Sequence, residues 1–397
     1  MTSPPGGDFP PIAGANLLIR GLRQTNPAVS AEALQALAMG NAEFALDLYR
    51  SLAAGTDGNI VLGPHSISSA LAMVYVGARG QTAAEMAQVL HFEATPADIG
   101  PSANALDLAL TSRSNDAVDL RLANQAFAQP GFTFLDSYLS VLSSDFGAPL
   151  AELDFGDSEN ARRVINGWAA ERTNQRITEL FPPRSIDATT RLVLANAVSL
   201  DAEWKYLFDP ASTTISKFRL ADGTDVDVPT MHFDLYLPLT YTDEYAAVEL
   251  LYGPGDLSMV LILPEDLPAF ETDLDVATLH DIFGEIADSG IHLALPKFSF
   301  KSHTALDATL RQLGMTSAYG AADFSGMTGA PNLSLQTVQH EAFIEIDEQG
   351  TEAHAATGAG MAVSHGPTIA FDRPFLFVIR DRATGAILFL GRVTDPR

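Results

Sequence analysis

The stretch of sequence that decides the fold lies near the C-terminus, between residues 344 and 367. It reads Ile344-Glu345-Ile346-Asp347-Glu348-Gln349-Gly350-Thr351-Glu352-Ala353-His354-Ala355-Ala356-Thr357-Gly358-Ala359-Gly360-Met361-Ala362-Val363-Ser364-His365-Gly366-Pro367. Its small residues are typical of a flexible surface loop. However, the residues at every second position from Thr351 to Met361 are all uncharged, and Glu352 and His354 lie at the positions between them. The spacing therefore favours a latent strand, which lays one small face onto a packed layer if a gap opens beside it.

The rest of the chain divides into a helical half and a strand-rich half. Apolar residues at Phe44, Leu48 and Leu52 predict a helix capped by Asn41, and residues 67–77 and 82–90 predict two more. Apolar runs of strand length follow at residues 192–198, 246–251, 257–263, 291–300 and 375–379. This order indicates an α+β fold. No linker divides the chain after residue 40, so we expect one domain over residues 31–397, after a flexible extension over residues 1–30.

Composition and charge exclude several classes of function. The 397 residues include 23 Lys and Arg against 49 Asp and Glu, which gives a formal net charge of −26. Nucleic acid and anionic membrane surfaces are repelled by such a charge, so neither is expected as a partner. The chain has no cysteine and no apolar run long enough to span a membrane, and its first residues lack the features of a secretory signal.

Motifs for catalysis, metal binding or cofactor binding are weak. The nine histidines include no pair at metalloprotease spacing, and no nucleophile elbow, phosphate-binding loop or dinucleotide fingerprint occurs. Ser364 and His365 place a nucleophile beside a base, but adjacent residues of an extended chain point to opposite sides. We therefore expect no metal, no cofactor and no enzymatic activity, with a hydrolase that uses Ser364 and His365 as the remote alternative.

Six segments of the chain resemble segments of the serpins, a family of serine protease inhibitors. They occur in the same order as in the serpins. One is the segment 348–357, which resembles the hinge of the serpin reactive-centre loop. The others are residues 59–68 with 77–82, residues 196–198 with Trp204 and Lys205, residues 322–326, residues 371–380, and residues 390–393 with Pro396. The resemblance covers the chain from about residue 40.

The resemblance implies a serpin fold with three β-sheets, eight or nine helices and an exposed reactive-centre loop at about residues 348–370. It implies that a serine protease cleaves this loop and becomes trapped as an acyl-enzyme while the hinge half of the loop enters the main sheet as a new strand. The hinge residues carried over are Glu348, Gly350, Thr351, Glu352, Ala353, Ala355, Ala356 and Thr357.

Several other residues match family positions at the place where the main sheet opens. Asn196 and His340 match polar residues that bridge the strands, with Ser66 below them and Trp204 where the loop first enters. Lys297 and Glu348 match a pair that ties the loop base to a neighbouring strand. Position 63 is Gly where the family usually has Ser, so one hydroxyl is missing.

The cleaved bond is assigned by counting along the resemblance. Counting from the hinge gives Ser364-His365, counting back from residues 371–375 gives Val363-Ser364, and Met361-Ala362 is a third alternative. No Arg or Lys lies between Gly350 and Pro367, so we expect an elastase-like or subtilisin-like target with a shallow apolar pocket.

The sequence and the resemblance also lead to expectations about binding partners, cellular location and source. We expect a monomer that forms a covalent acyl complex with a target serine protease, and no heparin-type activation, since no basic helix stands out. The resemblance implies an extracellular location, and the missing signal leaves the cytoplasm open. The small number of Lys relative to Arg, in an acidic chain, favours a prokaryotic source. A non-inhibitory serpin acting as a carrier, chaperone or storage protein is the alternative.

Overall fold

The structure is a computed structural model, and it describes residues 9–351 and 366–397. Within these residues the α-helices are α1 (Ala31–Ala53), α2 (Pro64–Tyr75), α3 (Gly80–Leu90), α4 (Ile99–Thr111), α5 (Asp136–Ser144), α6 (Ser158–Arg172), α7 (Leu267–Asp273), α8 (Val276–Glu285), α9 (Asp307–Leu313) and α10 (Ser325–Thr328). The strands are β1 (Asn16–Leu18), β2 (Ile60–Leu62), β3 (Val118–Ala128), β4 (Leu150–Glu152), β5 (Leu192–Glu203), β6 (Thr214–Arg219), β7 (Asp225–Tyr241), β8 (Tyr245–Leu251), β9 (Leu257–Pro264), β10 (Ala287–Pro296), β11 (Phe298–Ala305), β12 (Thr337–Ile346), β13 (Gly350–Thr351), β14 (Thr368–Ala370), β15 (Phe375–Asp381) and β16 (Ile387–Val393).

The early helices follow the predicted pattern, with one correction. α1 begins after Ser30, whose hydroxyl accepts a hydrogen bond from the backbone N–H of Ala33. The prediction of Asn41 as the cap is therefore wrong. Asn41 lies inside α1, where its side chain accepts a hydrogen bond from Ser68 of α2 at 2.6 Å. α2 is buried on nearly every side, which confirms the interior helix predicted there.

The strands form two hydrogen-bonded sheets in the described part of the chain. The first sheet has the order β1-β4-β3-β5-β13-β12-β11, and the second has the order β14-β10-β7-β8-β9-β15-β16-β2 with β6 beside β7. The resemblance implies three sheets, and the difference lies in β7. This strand of 17 residues pairs with β6 and β10 along one part and with β8 at its end, so it joins two sheets into one.

The α+β architecture is confirmed, and the helix count differs for a physical reason. The described residues hold ten α-helices instead of eight or nine, and three of them, α7, α9 and α10, have seven residues or fewer. Such short helices make too few turns to show an apolar period in the sequence. The predicted strand at residues 291–300 is likewise two strands, β10 and β11, which are separated at Lys297.

The apolar core has two parts. The larger one lies between the two sheets and against α1 and α2, and the smaller one lies between α6 and the outer face of β3, β4 and β5. The two cores therefore cover both faces of the strands in the middle of the first sheet. Every residue from Leu192 to Leu200 of β5 is buried, as a fully covered central strand requires.

Part of the N-terminal segment that was expected to be flexible contacts the rest of the fold. Residues 16–18 form β1, which pairs antiparallel with β4 at the edge of the first sheet. Ile12 is buried in the smaller core. Among the described residues, no helix combines the length and the apolar character needed to cross a bilayer.

Candidate functional site: the hinge and the strand gap

The first sheet divides between β5 and β12. These two strands pair in parallel over six residue pairs, from Thr337 opposite Val193 to Ala342 opposite Val198, and then separate. β13 lies in the gap beyond that point, with Thr351 paired to Ile346 of β12 and to Ala202 of β5. The chain that leads into the predicted loop therefore already starts a new central strand.

A tight turn directs the chain into this gap. The side chain of Asp347 accepts hydrogen bonds from the backbone N–H groups of Gln349 and Gly350, at 2.8 and 3.2 Å. An aspartate that binds backbone groups two and three residues ahead is a common way to form a turn. The turn reverses β12 so that β13 runs antiparallel to it.

Gly350 is needed here because the backbones approach closely. A Cβ atom added to Gly350 would lie 2.0 Å from the carbonyl oxygen of Ala202. Because that contact is with backbone, a side chain at position 350 would push the hinge away from β5. This gives a structural reason for the glycine in the predicted hinge.

The residues around the turn form a group that we call the hinge clamp: Trp204, Thr213, Tyr252, Lys297 and Glu348. Trp204 donates from its indole nitrogen to the carbonyl of Asp347 at 3.0 Å, and the backbone N–H of Phe208 donates to the carbonyl of Glu348 at 2.9 Å. The Glu348 carboxylate accepts from Lys297 Nζ and from Thr213 Oγ1, both at 2.7 Å. The predicted pairing of Lys297 with Glu348 is therefore present in the structure.

The clamp stabilises the ionised form of Glu348. Burial opposes ionisation of this carboxyl, but the hydrogen bonds from Lys297 and Thr213 outweigh burial and lower its pKa. The clamp thus holds the base of the loop most firmly when Glu348 carries its charge.

Tyr252 connects the other residues of the hinge clamp to Thr351 in the gap. Its hydroxyl lies 2.6 Å from Thr351 Oγ1, and its ring stacks on Trp204 with the centroids 4.5 Å apart and the planes 13° apart. Both Tyr252 and Thr351 are fully buried, and burial raises the pKa of Tyr252. The hydrogen bond gives the buried hydroxyl of Thr351 a partner inside the sheet.

A second group lies where β5 and β12 are still paired, and we call it the shutter network: Gly63, Ser66, Asn196 and His340. His340 lies directly opposite Asn196, and its Nδ1 is 2.5 Å from Asn196 Oδ1. The backbone N–H of Gly63 donates to His340 Nε2 at 3.0 Å, so the ring is neutral with its proton on Nδ1. Asn196 Nδ2 in turn donates to Ser66 Oγ at 2.5 Å.

The shutter network is fully buried and uncharged. Burial lowers the pKa of His340 to about 3. His65, which follows Gly63 by two residues, is also buried, and burial lowers its pKa to about 4 against the opposing influence of Asp107. The packing also explains why position 63 is Gly instead of the Ser that is usual in the family. A Cβ on Gly63 would lie 2.5 Å from Val198 Cγ1.

The far end of the loop is anchored on the second sheet. Pro367 accepts a hydrogen bond from the backbone N–H of His292 at 2.9 Å, and β14 pairs in parallel with β10. Phe371 then enters the core and packs edge-on against Phe375, with the centroids 5.1 Å apart. The chain between Thr351 and Gly366 is thus attached at both ends to neighbouring parts of the molecule.

The structure brings together eight of the predicted site residues and leaves the others outside its description. Glu348, Gly350, Thr351, Trp204 and Lys297 meet at the gap, and Ser66, Asn196 and His340 meet below it. The remaining hinge residues and the alternatives for the cleaved bond lie outside the described residues, namely Glu352, Ala353, Ala355, Ala356, Thr357, Met361, Val363, Ser364 and His365. Their assignments stay predictions.

Sequence reasoning missed Tyr252, Thr213 and the role of Gly63. Tyr252 directly follows the predicted strand at residues 246–251, and its position gives no sign that it contacts Thr351, 99 residues away. Thr213 is partly buried in the connection between β5 and β6. Only the tertiary arrangement shows that these hydroxyl groups bind the hinge.

Comparison with known proteins agrees with this arrangement. A family model described as serpin (serine protease inhibitor) matches residues 39–396. A leukocyte elastase inhibitor of Sus scrofa is 36% identical over 383 residues, which cover 91% of this chain and all of the relative. An uncharacterized serpin-like protein of Thermococcus kodakarensis is 36% identical, over 89% of this chain and 84% of its own. The solved structure of human thyroxine-binding globulin with its hormone superposes with a TM-score of 0.84 and 29% identity, over 92% of this chain and 99% of that one.

Proposed function

The chain belongs to the serpin family, and we propose that it inhibits a serine protease as a suicide substrate. The observation that carries the proposal is the position of Thr351, which is buried between β5 and β12 in the short strand β13. The description of the family as serine protease inhibitors, and the name of the Sus scrofa relative, support inhibition in general.

The chemistry proceeds in two stages. The protease serine attacks the carbonyl of the scissile bond, the amide bond breaks, and the N-terminal part of the loop remains on the protease as an ester. The new amino group becomes the start of the C-terminal chain, which stays in the second sheet through β14, β15 and β16. The hinge then continues from Thr351 between β5 and β12, carries the protease with it, and distorts its catalytic site before water can release the ester.

The gap favours insertion over release because its first step has already occurred. Each further residue of the loop would exchange a β5–β12 backbone pair for two new pairs, since an inserted strand bonds to a neighbour on either side. The candidate inward positions after Thr351 carry small uncharged side chains up to Ala359. Burying them requires no desolvation of charge.

The class of target protease is inferred from the loop residues that could enter the specificity pocket of the protease. A pocket with an acidic floor takes Arg or Lys, and neither occurs between Gly350 and Pro367. The small and apolar residues at 361–364 suit a shallow apolar pocket, so we propose an elastase-like or subtilisin-like protease.

The experiment mixes the protein with pancreatic elastase or subtilisin and examines the products in hot detergent. We expect a complex that survives denaturation, together with a short C-terminal fragment whose mass identifies the cleaved bond. In Thr351→Arg the buried contact with Tyr252 is lost and a charge would enter the sheet, so we expect cleavage without a complex. Thr224→Arg, at an exposed turn before β7, adds the same charge away from the gap and keeps inhibition.

Other outcomes identify the alternatives. Clean cleavage with full recovery of protease activity, and little gain in thermal stability after the cut, would indicate a non-inhibitory carrier, chaperone or storage protein. Turnover of an ester substrate that disappears in Ser364→Ala would indicate the hydrolase. Either result would overturn the inhibitor proposal.

A further inference from the structure

A cavity of about 140 Å³ lies between α6, the N-terminal residues and β3. Its wall includes Phe9 and Pro10, residues 122–125 of β3, residues 146–149 and two residues of α6. It lies just before the point at which β3 begins to pair with β4. The cavity shares no residue with the hinge clamp or the shutter network, so it is a separate feature of the molecule.

The charged groups in the wall leave one positive charge. Among the described residues of the lining, three carry a charge, namely Arg23, Asp107 and Arg172. Arg23 and Asp107 form an ion pair, and Arg23 also donates to Asn104 Oδ1 at 3.0 Å. The pair offsets the Asp107 carboxylate, which would otherwise repel an anion. The charge of Arg172 therefore remains without a counterpart in the cavity.

Arg172 lies in the last turn of α6 and is half-buried. Within residues 9–351 and 366–397, its guanidinium makes no hydrogen bond and no ion pair with another side chain or carbonyl. Burial lowers the pKa of Arg172, and the charge of its neighbour Glu171 opposes this only in part. Because arginine keeps its charge in proteins, a half-buried guanidinium of this kind is stabilised when an anion binds to it.

Other residues of the wall carry hydrogen-bond donors. Trp168 lies one turn before Arg172 on the same side of α6 and brings an indole N–H, which can only donate. Ser69 of α2 brings a hydroxyl. Together with the guanidinium, these groups favour an anion over a cation as the occupant.

The volume of the cavity limits the size of the ligand. A water molecule occupies about 30 Å³ in the liquid, so 140 Å³ corresponds to roughly four or five waters. Sites for drug-sized ligands have volumes of about 300 Å³ or more. Phosphate and short carboxylates are small enough, and a guanidinium binds either of them through two parallel N–H···O bonds.

We propose that this cavity binds a small oxyanion, an inorganic phosphate or a short carboxylate, through the guanidinium of Arg172. The anion supplies the counter-charge that the described residues do not provide. Trp168 packs edge-on against Phe127 of β3, with the centroids 5.9 Å apart, so an anion held here binds where α6 covers the first sheet. Its binding to the folded state raises the temperature of unfolding. The proposal goes beyond protease inhibition and does not depend on it.

The test measures binding to the full-length protein by isothermal titration calorimetry, in one arm with inorganic phosphate and in another with acetate. Chloride holds the ionic strength constant, so that general screening of the acidic surface does not contribute. The wild type should bind at least one of the two anions, and the arm that gives heat identifies the class. In Arg172→Gln we expect binding to be about tenfold weaker or more, as the loss of a charge-assisted hydrogen bond predicts.

Arg163→Gln is the matched control, because it removes the same charge from the same helix. Arg163 is exposed and donates to Asn160 Oδ1 at 3.5 Å, away from the cavity, so this variant should bind like the wild type. Arg172→Lys keeps the charge but loses the planar fork, so its affinity should be intermediate. It also replaces Arg172→Gln if that variant fails to fold.

The outcomes separate this proposal from protease inhibition. No heat with either anion in the wild type, unchanged binding in Arg172→Gln, or an equal loss in Arg172→Gln and Arg163→Gln would overturn the anion site and leave inhibition untouched. Binding that is lost in Arg172→Gln alone, in a protein that forms no complex with a protease, would support the anion site and overturn the proposed function.

Discussion

The first sheet is held together differently at the two ends of the β5–β12 interface. At the upper end the strands have separated, β13 fills the space, and the hinge clamp holds it with a charged pair, Lys297 and Glu348. At the lower end the strands pair directly, and the buried, uncharged shutter network crosses between them. The upper end therefore resembles a sheet that has begun to open, and the lower end resists further opening.

This difference indicates where the barrier to insertion lies. The contacts of the clamp do not span the β5–β12 pairs that remain, so insertion can proceed while the clamp stays intact. The shutter network does span them, because Asn196 and His340 face each other across the interface. Parting the strands breaks the hydrogen bond between His340 Nδ1 and Asn196 Oδ1, and both atoms stay without a partner until a new strand supplies one.

The largest effect is expected at His340. His340→Ala leaves the side-chain oxygen of Asn196 and the N–H of Gly63 unpaired in the core and creates a cavity, so the free energy of unfolding should fall by about 4 kcal/mol. Urea unfolding measures the change. His280→Ala is the control, because the His280 side chain is 85% exposed, and a loss of similar size there would contradict the assignment.

The pH dependence of the free energy of unfolding should also report the contribution of His340. Because burial lowers the pKa of His340 to about 3, below the unfolded value near 6.5, its contribution is complete above pH 6.5 and is lost as pH falls toward 3. At pH 5 the loss should be about 2 kcal/mol.

Urea unfolding of the wild type and His340→Gln between pH 7 and pH 5 isolates this contribution, because glutamine does not titrate. The variant should show a shallower loss of stability. An identical slope in both proteins would show that His340 is not held neutral by the fold.

The packing of the shutter gives a smaller effect. Gly63→Ser places a Cβ 2.5 Å from Val198 Cγ1, and valine has little freedom to move away, so we expect a loss of about 1.5 kcal/mol. Val198→Ala should remove the clash, so that the double variant is more stable than the sum of the single effects predicts. Simple additivity in thermal unfolding would show that Val198 is not the obstacle.

The smallest effect is expected at the clamp. Glu348→Gln keeps a side chain that can accept from Thr213 but removes the charge that faces Lys297, and we expect a loss of about 1 kcal/mol at pH 7. The contribution of a carboxyl with a lowered pKa is complete above its unfolded value near 4.5, so this difference should shrink as pH falls below 4.5 and be lost once pH has passed through the lowered pKa of the folded state.

An exposed pair provides the comparison for this variant. Asp227→Asn removes the partner of Lys217, where both side chains are more than 60% exposed, and should leave thermal unfolding unchanged. If Glu348→Gln also has no effect, the clamp is no stronger than a surface ion pair.

Much of the fold could be predicted because its signals are local. The continuous apolar run at residues 192–198 predicts a strand buried on both faces, and β5 is such a strand. The alternation that begins at Thr351 predicts a strand with a small inward face, and Thr351 is buried in β13. The short helices and the division of residues 291–300 at Lys297 could not be predicted, because a single turn or a single break carries too little pattern.

The candidate site was predictable only in part, for the same reason. Glu348, Trp204 and His340 could be named because they lie in segments that resemble a known family. Tyr252 and Thr213 lie outside the segments that resemble the family, and their contacts with the hinge join residues that are far apart in the chain. Residues 1–30 were expected to form a flexible extension because they are rich in Pro and Gly. Within the described part of this segment, Ile12 is buried in the smaller core and Arg23 donates to the buried Asn104, contacts that the sequence does not indicate.

The sequence by itself determined the α+β class, the acidic charge and the small, uncharged face of the latent strand, since each depends on the types of residues and their spacing. Tertiary structure alone decided that the first sheet is open at one end and closed at the other. That property depends on backbone hydrogen bonds and buried polar contacts between β5, β12 and β13. Such contacts join residues that are distant in the chain, and no pattern along the sequence records their distance in space.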